Sequence, residues 1–337
     1  MGDKKKIKRI GVLTSGGDAP GMNAAIRAVV RASITNGVQC VGIYRGYEGL
    51  LGHSQLGKDF RVLQGIDVSH ILSRGGTMLY TARSEVFRTK EGQQHAAQTC
   101  NLLGLDGVIT IGGDGTFQGA LALSKQGVPV IGIPGTIDND IGCTHYTIGF
   151  DTACNTAVEC IDKLRDTMQS HERCSVVEVM GRHAGYLALY VGLAVGANAV
   201  LLPERKDEFD IEKDLFIPME EARLAGNTHF IVVVAEGAGS AFEIGKDIEK
   251  KMGMKPRVTV LGHIQRGGVP TVRDRETASL MGYKAVEALV QGRHNLVVGT
   301  WNGQLNETPL EEAVTKKKPF PMQRYEIMMA LQNRLAK

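Results

Sequence analysis

The chain has 337 residues, a hydrophobic fraction of 43% and a charged fraction of 22%. At roughly 100–200 residues per domain, this length predicts about two domains, and the composition excludes disorder and low complexity. The 39 Lys and Arg residues against 36 Asp and Glu residues give a net charge of +3, too balanced to favour bulk nucleic acid binding. No apolar run reaches the ~18 residues of a membrane span and no secretory signal is visible, so we expect a cytoplasmic protein.

Short apolar runs alternate with helical patterns along the whole chain. Strands are predicted at 10–14, 38–44, 108–111, 130–133, 175–180, 199–202, 229–235, 258–261 and 296–299, and helices at 23–31, 117–125, 151–169, 184–194, 211–225, 242–251, 275–290 and 322–336. This alternation is typical of parallel sheets with right-handed crossovers. We therefore predict an α/β fold of two doubly wound domains with mainly parallel central sheets flanked by helices, first dividing near residue 148.

The turn Gly112-Gly113-Asp114-Gly115-Thr116 follows a predicted strand and opens a predicted helix. Backbone amides and the helix dipole at such a position suit an anionic phosphate. Asp114 is a hard oxygen ligand of the kind that Mg²⁺ prefers beside phosphates. The turn is neither a Walker A loop nor a dinucleotide fingerprint, and a tight turn capped by Asp is the structural alternative.

The stretch Pro134-Gly135-Thr136-Ile137-Asp138-Asn139-Asp140 places two carboxylates just after another predicted strand. In extended backbone they would point the same way. One would then act as a base on a hydroxyl while the other engages metal or orients the first. An Asx-rich turn is the alternative that the heptapeptide alone leaves open.

Further glycine-rich stretches occur along the chain, several of them after other predicted strands and several with an arginine. They are 15–21 (SGGDAPG), 74–77 (RGGT), 81–83 (TAR), 180–182 (MGR), 236–237 (EG) and 262–268 (GHIQRGG). Ligands of open α/β sheets bind at the carboxyl ends of strands, and Arg is suited to bidentate phosphate contact. The residues alone therefore indicate a protein that handles phosphates, with one Mg²⁺ carboxylate, one candidate base and cations for a second phosphate, as phosphoryl transfer requires.

Five of these stretches together resemble the ATP-dependent 6-phosphofructokinase family. They are GVLTSGGDAPGMNAAIR from Gly11, IGGDGT from Ile111, PGTIDNDI from Pro134, VVEVMGRHAG from Val176 and VLGHIQRGG from Val260. The resemblance runs from about residue 10 to about residue 290. It implies transfer of the ATP γ-phosphoryl group to the 1-hydroxyl of D-fructose 6-phosphate, giving fructose 1,6-bisphosphate and ADP, the committed step of glycolysis.

The resemblance also implies roles for residues of the nucleotide half. Asp114 would bind Mg²⁺. Asp138 would act as the base, with Thr136 at the reacting hydroxyl, Asp140 assisting near the metal and Arg83 neutralising the transferring phosphoryl. The residues surrounding ATP would be Gly17, Tyr47, Arg83, Ser84, Gly113, Asp114, Gly115 and Thr116.

For the sugar phosphate, the resemblance implies a site shared between subunits of a homo-oligomer, in this family usually a homotetramer. The sugar would be held by Thr136, Ile137, Asp138, Met180, Gly181, Arg182 and Glu236, and its 6-phosphate by the 263–266 segment (His263, Ile264, Gln265 and Arg266), with Arg173 and Arg257 from a neighbouring subunit. A larger ATP-binding domain would comprise 1–148 and about 264–314. A smaller fructose-6-phosphate-binding domain would comprise about 149–263 and 315–337, with the active site in the cleft between them.

Two glycines bear on the phosphoryl donor. Pyrophosphate-dependent members of the family carry Asp in place of Gly115 and Lys in place of Gly135. An Asp at 115 would crowd and repel the α-phosphate of ATP, so the glycines favour ATP. The alternatives are pyrophosphate as the donor, a non-catalytic regulatory subunit that binds sugar phosphate, and NAD(H) chemistry or an NAD kinase sharing the GGDGT stretch.

The departures from the family concern an effector site for ADP or phosphoenolpyruvate. Arg27, Arg31 and Arg165 match its cations. Asn198 stands where the family has an acidic metal ligand, and Ala225-Gly226-Asn227-Thr228 stands where it has a lysine cluster. The 51–58 loop lacks the Arg expected from the family and is longer than the family's loop. Each charged hydrogen bond lost to a phosphate forfeits roughly 1.5–3 kcal/mol. We therefore expect weak or rewired effector control. The sequence after Gly299 matches the family poorly and has no functional interpretation.

Overall fold

The computed structural model describes residues 6–52, 59–171 and 173–331. Two compact units are defined by their internal contacts. Unit 1 comprises Met1–Thr136, Ile141–Asp151 and Arg266–Lys318, and unit 2 comprises Ile137–Asp140, Thr152–Gln265 and Pro319–Lys337. The described helices include none long and apolar enough to cross a membrane.

Unit 1 is built on a seven-stranded sheet in the order β11-β10-β5-β4-β1-β2-β3. Its strands are β1 (Arg9–Thr14), β2 (Gln39–Ile43), β3 (Phe60–Leu63), β4 (Gly107–Gly112), β5 (Val130–Pro134), β10 (Leu296–Trp301) and β11 (Gln304–Pro309). The five central strands pair in parallel, and the two edge strands, β3 and β11, pair antiparallel with their neighbours. The sheet is therefore mainly parallel, as the sequence predicts.

Helices cover both faces of this sheet. They are α1 (Met22–Thr35), α2 (Lys90–Leu102), α3 (Asp114–Lys125), α8 (Val272–Val290) and the short α9 (Leu310–Ala313). A Cβ on Gly107 would meet Leu289 of α8, whereas a Cβ on Gly132 would meet Phe117 of α3. Because the β4–β5 register pairs Thr110 with Gly132, alternation places Gly107 and Gly132 on opposite faces. The glycines thus allow close approach of helices on each side.

Unit 2 is built on a four-stranded parallel sheet in the order β7-β8-β6-β9. Its strands are β6 (Cys174–Val179), β7 (Ala199–Leu201), β8 (Phe230–Ala235) and β9 (Arg257–Val260), and its helices are α4 (Phe150–His171), α5 (Tyr186–Ala194), α6 (Ile217–Leu224), α7 (Ala241–Met252) and α10 (Met322–Ala330). A π-helical turn, Glu212–Phe216, precedes α6. The two β-sheets and their flanking helices confirm the α/β class.

Among the elements that the sequence did not predict, β3, β11 and α2 bury little apolar surface. The edge strand β3 has only Leu63 buried, and β11 has only Thr308 buried. Helix α2 buries mainly small residues, Gly92, Ala96, Ala97 and Cys100, so it shows no strong apolar periodicity. The predicted 322–336 helix is observed to Ala330, and its last residues, 332–336, lie outside the described part of the chain.

Candidate active site

The predicted turns of unit 1 follow three neighbouring strands at one edge of the sheet. β5, β4 and β1 lie side by side, and Ser15 and Gly135 each extend the pairing by one hydrogen bond. Ser15 N–H donates to the Ile111 carbonyl and Gly135 N–H donates to the Gly112 carbonyl, both at 3.0 Å. Carboxyl ends of parallel strands share one edge, so three glycine-rich turns begin together there.

The turn after β4 is tightly packed at Gly112, and it faces open space at Gly115. A Cβ on Gly112 would collide with Thr116 Oγ1 and the Ser15 carbonyl, whereas a Cβ on Gly115 has no atom within 4 Å. Thr116 is buried, and its hydroxyl donates to the Ser15 carbonyl at 3.0 Å. Asp114 and Gly115, both exposed, occupy the first turn of α3. This helix begins earlier than the predicted residue 117, so Asp114 itself lies on it.

Tyr47 is hydrogen-bonded to the backbone of this turn. Its side chain is buried and stacks on Phe87, with ring centroids 4.3 Å apart. Its hydroxyl donates to the Thr116 carbonyl at 2.6 Å, and burial raises the pKa of Tyr47. Ser84 Oγ accepts the Phe87 N–H at 3.1 Å, while Arg83 is exposed.

The segment after β5 differs from the sequence expectation in one respect. Asn139 has φ +52, a left-handed conformation, so the backbone between Asp138 and Asp140 is not extended. The prediction that extended backbone joins the two carboxylates is therefore wrong. Thr136, Ile137 and Asp138 are buried, and Asp140 is half-buried.

Asn23 organises the RGGT segment beside the turn after β1. Its Nδ2 donates to the carbonyls of Arg74 and Gly75, each at 3.1 Å, and its Oδ1 accepts the Met78 N–H at 2.7 Å. Thr81 Oγ1 donates to the Gly16 carbonyl at 2.6 Å. Sequence reasoning did not select Asn23, because an Asn in the first turn of a helix carries no signal for partners 51 to 55 positions away.

The guanidinium of Arg266 also belongs to unit 1. Its Nη1 donates to the Asp18 carbonyl at 3.0 Å, and a Cβ on Gly17 would collide with the same group. The structure therefore brings Arg266 to the turn after β1.

Unit 2 presents its own cluster at the carboxyl ends of β6, β8 and β9. Arg182, at φ +56, donates its N–H to Glu236 Oε1 at 2.6 Å. Gln265 is buried, and its Oε1 accepts the Met180 N–H at 3.4 Å. The side chains of Arg182, Glu236, His263 and Ile264 are exposed, while Gly181 is buried.

Two predicted sugar-phosphate residues lie at the opposite edge of this sheet. Arg173 immediately precedes β6, and Arg257 begins β9 and is paired in register with Ser175. Both therefore stand at amino ends of strands, away from Arg182 and Glu236 at the carboxyl ends. Within unit 2 the structure does not bring the two groups together.

Two of the three candidate effector arginines already engage backbone carbonyls. Arg31 Nη2 donates to the Gly65 carbonyl at 3.0 Å, and Arg165 donates to the Val195 carbonyl. Arg27 is half-buried one turn before Arg31 on α1. Asn198 Oδ1 accepts the Ile231 N–H at 2.9 Å, so this side chain fastens the start of β8.

The fold defines a doubly wound α/β protein whose glycine-rich turns open at the carboxyl ends of its strands. The phosphofructokinase family model matches residues 9–289. The chain therefore belongs to the phosphofructokinase family.

Named relatives match nearly the whole chain. It is 50% identical over 325 residues to an "ATP-dependent 6-phosphofructokinase" of Clostridium botulinum, covering 96% of this chain and 99% of the relative. A relative of the same name from Brevibacillus brevis is 48% identical with the same coverage. Each alignment covers almost the full length of the relative.

Solved structures agree with the fold. A phosphofructokinase from Saccharomyces cerevisiae gives a TM-score of 0.89 at 31% identity, covering 96% of this chain and 49% of the yeast chain. The Pichia pastoris phosphofructokinase in the T-state gives 0.86 at 34% identity, covering 99% and 40%. A pyrophosphate-dependent phosphofructokinase from Marinobacter aquaeolei gives 0.82 at 22% identity, covering 94% and 86%, which supports the fold alone.

Proposed function

We propose that this protein transfers the γ-phosphoryl group of MgATP to the 1-hydroxyl of D-fructose 6-phosphate, the committed step of glycolysis in the cytoplasm. The observation that carries the proposal is the 50% identity, over almost their entire length, to relatives named ATP-dependent 6-phosphofructokinase. The products are fructose 1,6-bisphosphate and ADP.

Unit 1 would bind the nucleotide. Phosphates would meet the amides at the start of α3, where Gly113 is the N-cap and Gly115 leaves open space. A helix N-terminus favours anions through its unpaired N–H groups and its dipole. Gly17, Tyr47, Arg83, Ser84 and Thr116 complete the proposed nucleotide site, Tyr47 through its hydrogen bond to the Thr116 carbonyl.

Asp114 fits a role as the Mg²⁺ ligand. It is exposed in the first turn of α3, beside the proposed phosphates. The described residues hold no group of three or more His, Cys, Asp and Glu side chains that suits a metal. Mg²⁺ at phosphate sites typically takes one or two carboxylates and completes its shell with phosphate and water, so this donor set fits. The bound ion would neutralise charge on the transferring phosphoryl group.

Asp138 would accept the proton of the 1-hydroxyl as that oxygen attacks phosphorus. Its Oδ1 atom is buried, which limits hydration of the carboxylate and strengthens its interaction with the hydroxyl. Thr136 would orient the hydroxyl, Asp140 would assist near the metal, and the exposed Arg83 would neutralise the phosphoryl oxygens. Catalysis would consist mainly of positioning and charge neutralisation.

Unit 2 would bind the sugar phosphate through Met180, Gly181, Arg182 and Glu236. The Arg182–Glu236 hydrogen bond fixes the backbone that would face the sugar. His263 and Arg266 would take the 6-phosphate, with Ile137, Ile264 and Gln265 lining the site.

Arg173 and Arg257 support an oligomer. They lie at the amino edge of the unit 2 sheet, so they would reach a sugar phosphate bound to another subunit. We therefore propose a homo-oligomer, a homotetramer by family resemblance, in which these two arginines complete a neighbour's site.

The donor would be ATP because both discriminating positions are glycine. At 115 the protein itself leaves room for a side chain, so the space is available to the nucleotide. At 135 a Cβ would come within 3.2 Å of Ile111 Cγ2 and 3.4 Å of Met22 Cε, so the lysine of pyrophosphate-dependent members would need repacking.

A coupled assay of fructose 1,6-bisphosphate formation tests the proposal. It compares ATP with pyrophosphate, each with and without Mg²⁺. Turnover with ATP that requires both fructose 6-phosphate and Mg²⁺ supports the function. Turnover with pyrophosphate alone, or with neither donor, overturns it.

A further inference from the structure

Asp274 is a fully buried carboxylate in the first turn of α8. Its own N–H is accepted by Thr271 Oγ1 at 3.3 Å, which caps the helix. A buried carboxylate is costly unless hydrogen bonds satisfy it. Its partners therefore indicate what the residue is for.

The partners lie more than 120 positions away, in the segment 146–151. Asp274 Oδ1 accepts the Gly149 N–H at 2.7 Å and the Tyr146 O–H at 2.6 Å. The Tyr146 oxygen accepts the Asp151 N–H at 3.0 Å, which brings the last residue of this part of unit 1 into the same network. Burial, followed by the negative charge of Asp274, raises the pKa of Tyr146, so its hydroxyl remains a donor.

Arg273 closes the network from outside. Its guanidinium carbon lies 4.1 Å from the centroid of the Tyr146 ring, and its Nη1 lies 3.9 Å from Asp151 Oδ1. The start of α8 therefore contacts both ends of the 146–151 segment, Tyr146 at one end and Asp151 at the other.

This segment in turn holds the end of β5. Thr147 Oγ1 donates to the Thr136 carbonyl at 2.6 Å, and Ile148 N–H donates to the Pro134 carbonyl at 3.0 Å. Gly135 and Ile148 form a parallel bridge. Thr136 is thus fixed by a segment that Asp274 fixes.

The 146–151 segment also packs closely against the turn after β1. A Cβ on Gly21 would stand 2.6 Å from Ile148 Cγ2, and a Cβ on Gly149 would stand 2.6 Å from the Ala19 Cβ. Gly149 has φ +104, so glycine is required there for conformation as well as for space. A shift of 146–149 would therefore disturb the turns after both β1 and β5.

We propose that Asp274 is a positioning residue for phosphoryl transfer: through Gly149 and Tyr146 it holds the segment that fixes Thr136, two residues before the proposed base Asp138. The proposal rests on the proposed function, since it assigns the 134–140 loop to the reaction. A misplacement of about 1 Å in such a loop can cost on the order of 100-fold in rate.

The test compares Asp274→Ala, which removes the acceptor, with Asp274→Asn, which keeps the Oδ1 acceptor. Met281→Ala, a fully buried position on the same helix, is the control for lost stability. Each full-length variant is measured for kcat, for KM of both substrates, for the urea midpoint and for hydrogen exchange of 134–140.

We expect Asp274→Ala to lower kcat at least about 10-fold, with both KM values within about 3-fold of wild type. Exchange of 134–140 should accelerate. Asp274→Asn should restore kcat to within about 3-fold of wild type. Met281→Ala should lower the urea midpoint while leaving kcat and the exchange of 134–140 unchanged.

Unchanged kcat or unchanged exchange of 134–140 in Asp274→Ala would overturn the proposal, as would an Asp274→Asn variant no better than Asp274→Ala. If Asp274→Ala does not fold, Tyr146→Phe replaces it, and exchange of 134–140 must still rise. Exchange is measured without turnover. A wild-type protein inactive on fructose 6-phosphate would therefore refute the proposed function while leaving the contact between Asp274 and the loop separately measurable.

Discussion

Arg266 lies against Gly17, and its guanidinium donates to the carbonyl of the next residue, Asp18, at 3.0 Å. The two residues are far apart in the sequence and belong to different motifs, one assigned to the nucleotide and the other to the sugar 6-phosphate. Their contact requires glycine at 17, because any side chain there would displace the arginine. The same guanidinium therefore stands beside the turn after β1 while being a candidate ligand of the 6-phosphate.

Replacing Arg266 tests that assignment. We expect Arg266→Ala to raise the KM for fructose 6-phosphate about 10–100-fold, since a charge-assisted phosphate contact contributes roughly 1.5–3 kcal/mol. The KM for ATP should change much less. Arg266→Lys is the control that keeps the charge without the planar fork, and steady-state kinetics in both substrates measures the effect. A change confined to the KM for ATP would move Arg266 to the nucleotide site.

Replacing the proposed base should affect chemistry rather than nucleotide binding. Asp138→Asn removes the proton acceptor and keeps the side chain's size, so we expect kcat to fall about 10²–10⁴-fold. Calorimetric binding of a non-hydrolysable ATP analogue should remain near that of wild type. Asp162→Asn, at an exposed position on α4, is the matched control. Near-normal turnover of Asp138→Asn would remove this residue from the role.

Gly115 should decide the donor by size and charge. Because the protein leaves the space beside it open and its φ is not in the left-handed region, Gly115→Ala and Gly115→Asp should both fold. We expect Gly115→Ala to weaken ATP use modestly and Gly115→Asp to lower kcat/KM for ATP at least about 10-fold through repulsion of phosphate. Gly115→Asn separates charge from volume. An Asp variant that uses ATP as well as the Ala variant would refute the donor argument.

Effector control should be weak. Asn198 uses its Oδ1 on Ile231, and the 225–228 loop has no cation, so a phosphorylated effector would lack the metal ligand and lysines of the family pattern. Saturating phosphoenolpyruvate should leave the half-saturation concentration of fructose 6-phosphate nearly unmoved, as should ADP at fixed ATP. A large shift in that concentration would contradict the expectation and would show that Arg27, Arg31 and Arg165 suffice.

Buried thiols should make the protein sensitive to alkali. Burial raises the pKa of Cys40, Cys100 and Cys174 to about 12 and that of Cys143 to about 11. A thiol whose pKa is raised on folding stabilises the folded state fully below the unfolded pKa, near 9, and loses this contribution as the pH rises toward the folded value.

The urea midpoint should therefore be steady from pH 7 to 8 and fall between about pH 9 and 10.5, with up to ~1.4 kcal/mol of unfolding free energy lost per pH unit for each ionising group. Cys40→Ala should flatten the slope relative to wild type. A midpoint that does not change up to pH 10.5 would show that these thiols are not desolvated as the fold implies.

The sequence by itself determined the class of fold and the positions of the glycine-rich turns. The strands β1, β4 and β8 bury most or all of their residues. Their continuous apolar runs can therefore be recognised from the local sequence alone. The start of α3 could be placed to within three residues from the sequence, because Gly112 and Gly113 precede Asp114 and mark a turn. Elements that bury small or few side chains, such as α2 and β3, carried too little signal.

Only the tertiary structure decided which of these residues meet. Asn139 adopts a left-handed conformation that the sequence pattern does not predict. The backbone between Asp138 and Asp140 is therefore not extended. Asp274 is an ordinary charged residue among charged neighbours in the sequence, yet it is buried and bonded to Tyr146 and Gly149. Local patterns report burial and turns. The hydrogen bonds around the candidate site also join residues far apart in the sequence, such as Asp274 and Tyr146, and these form only once the strands have been ordered in the sheet.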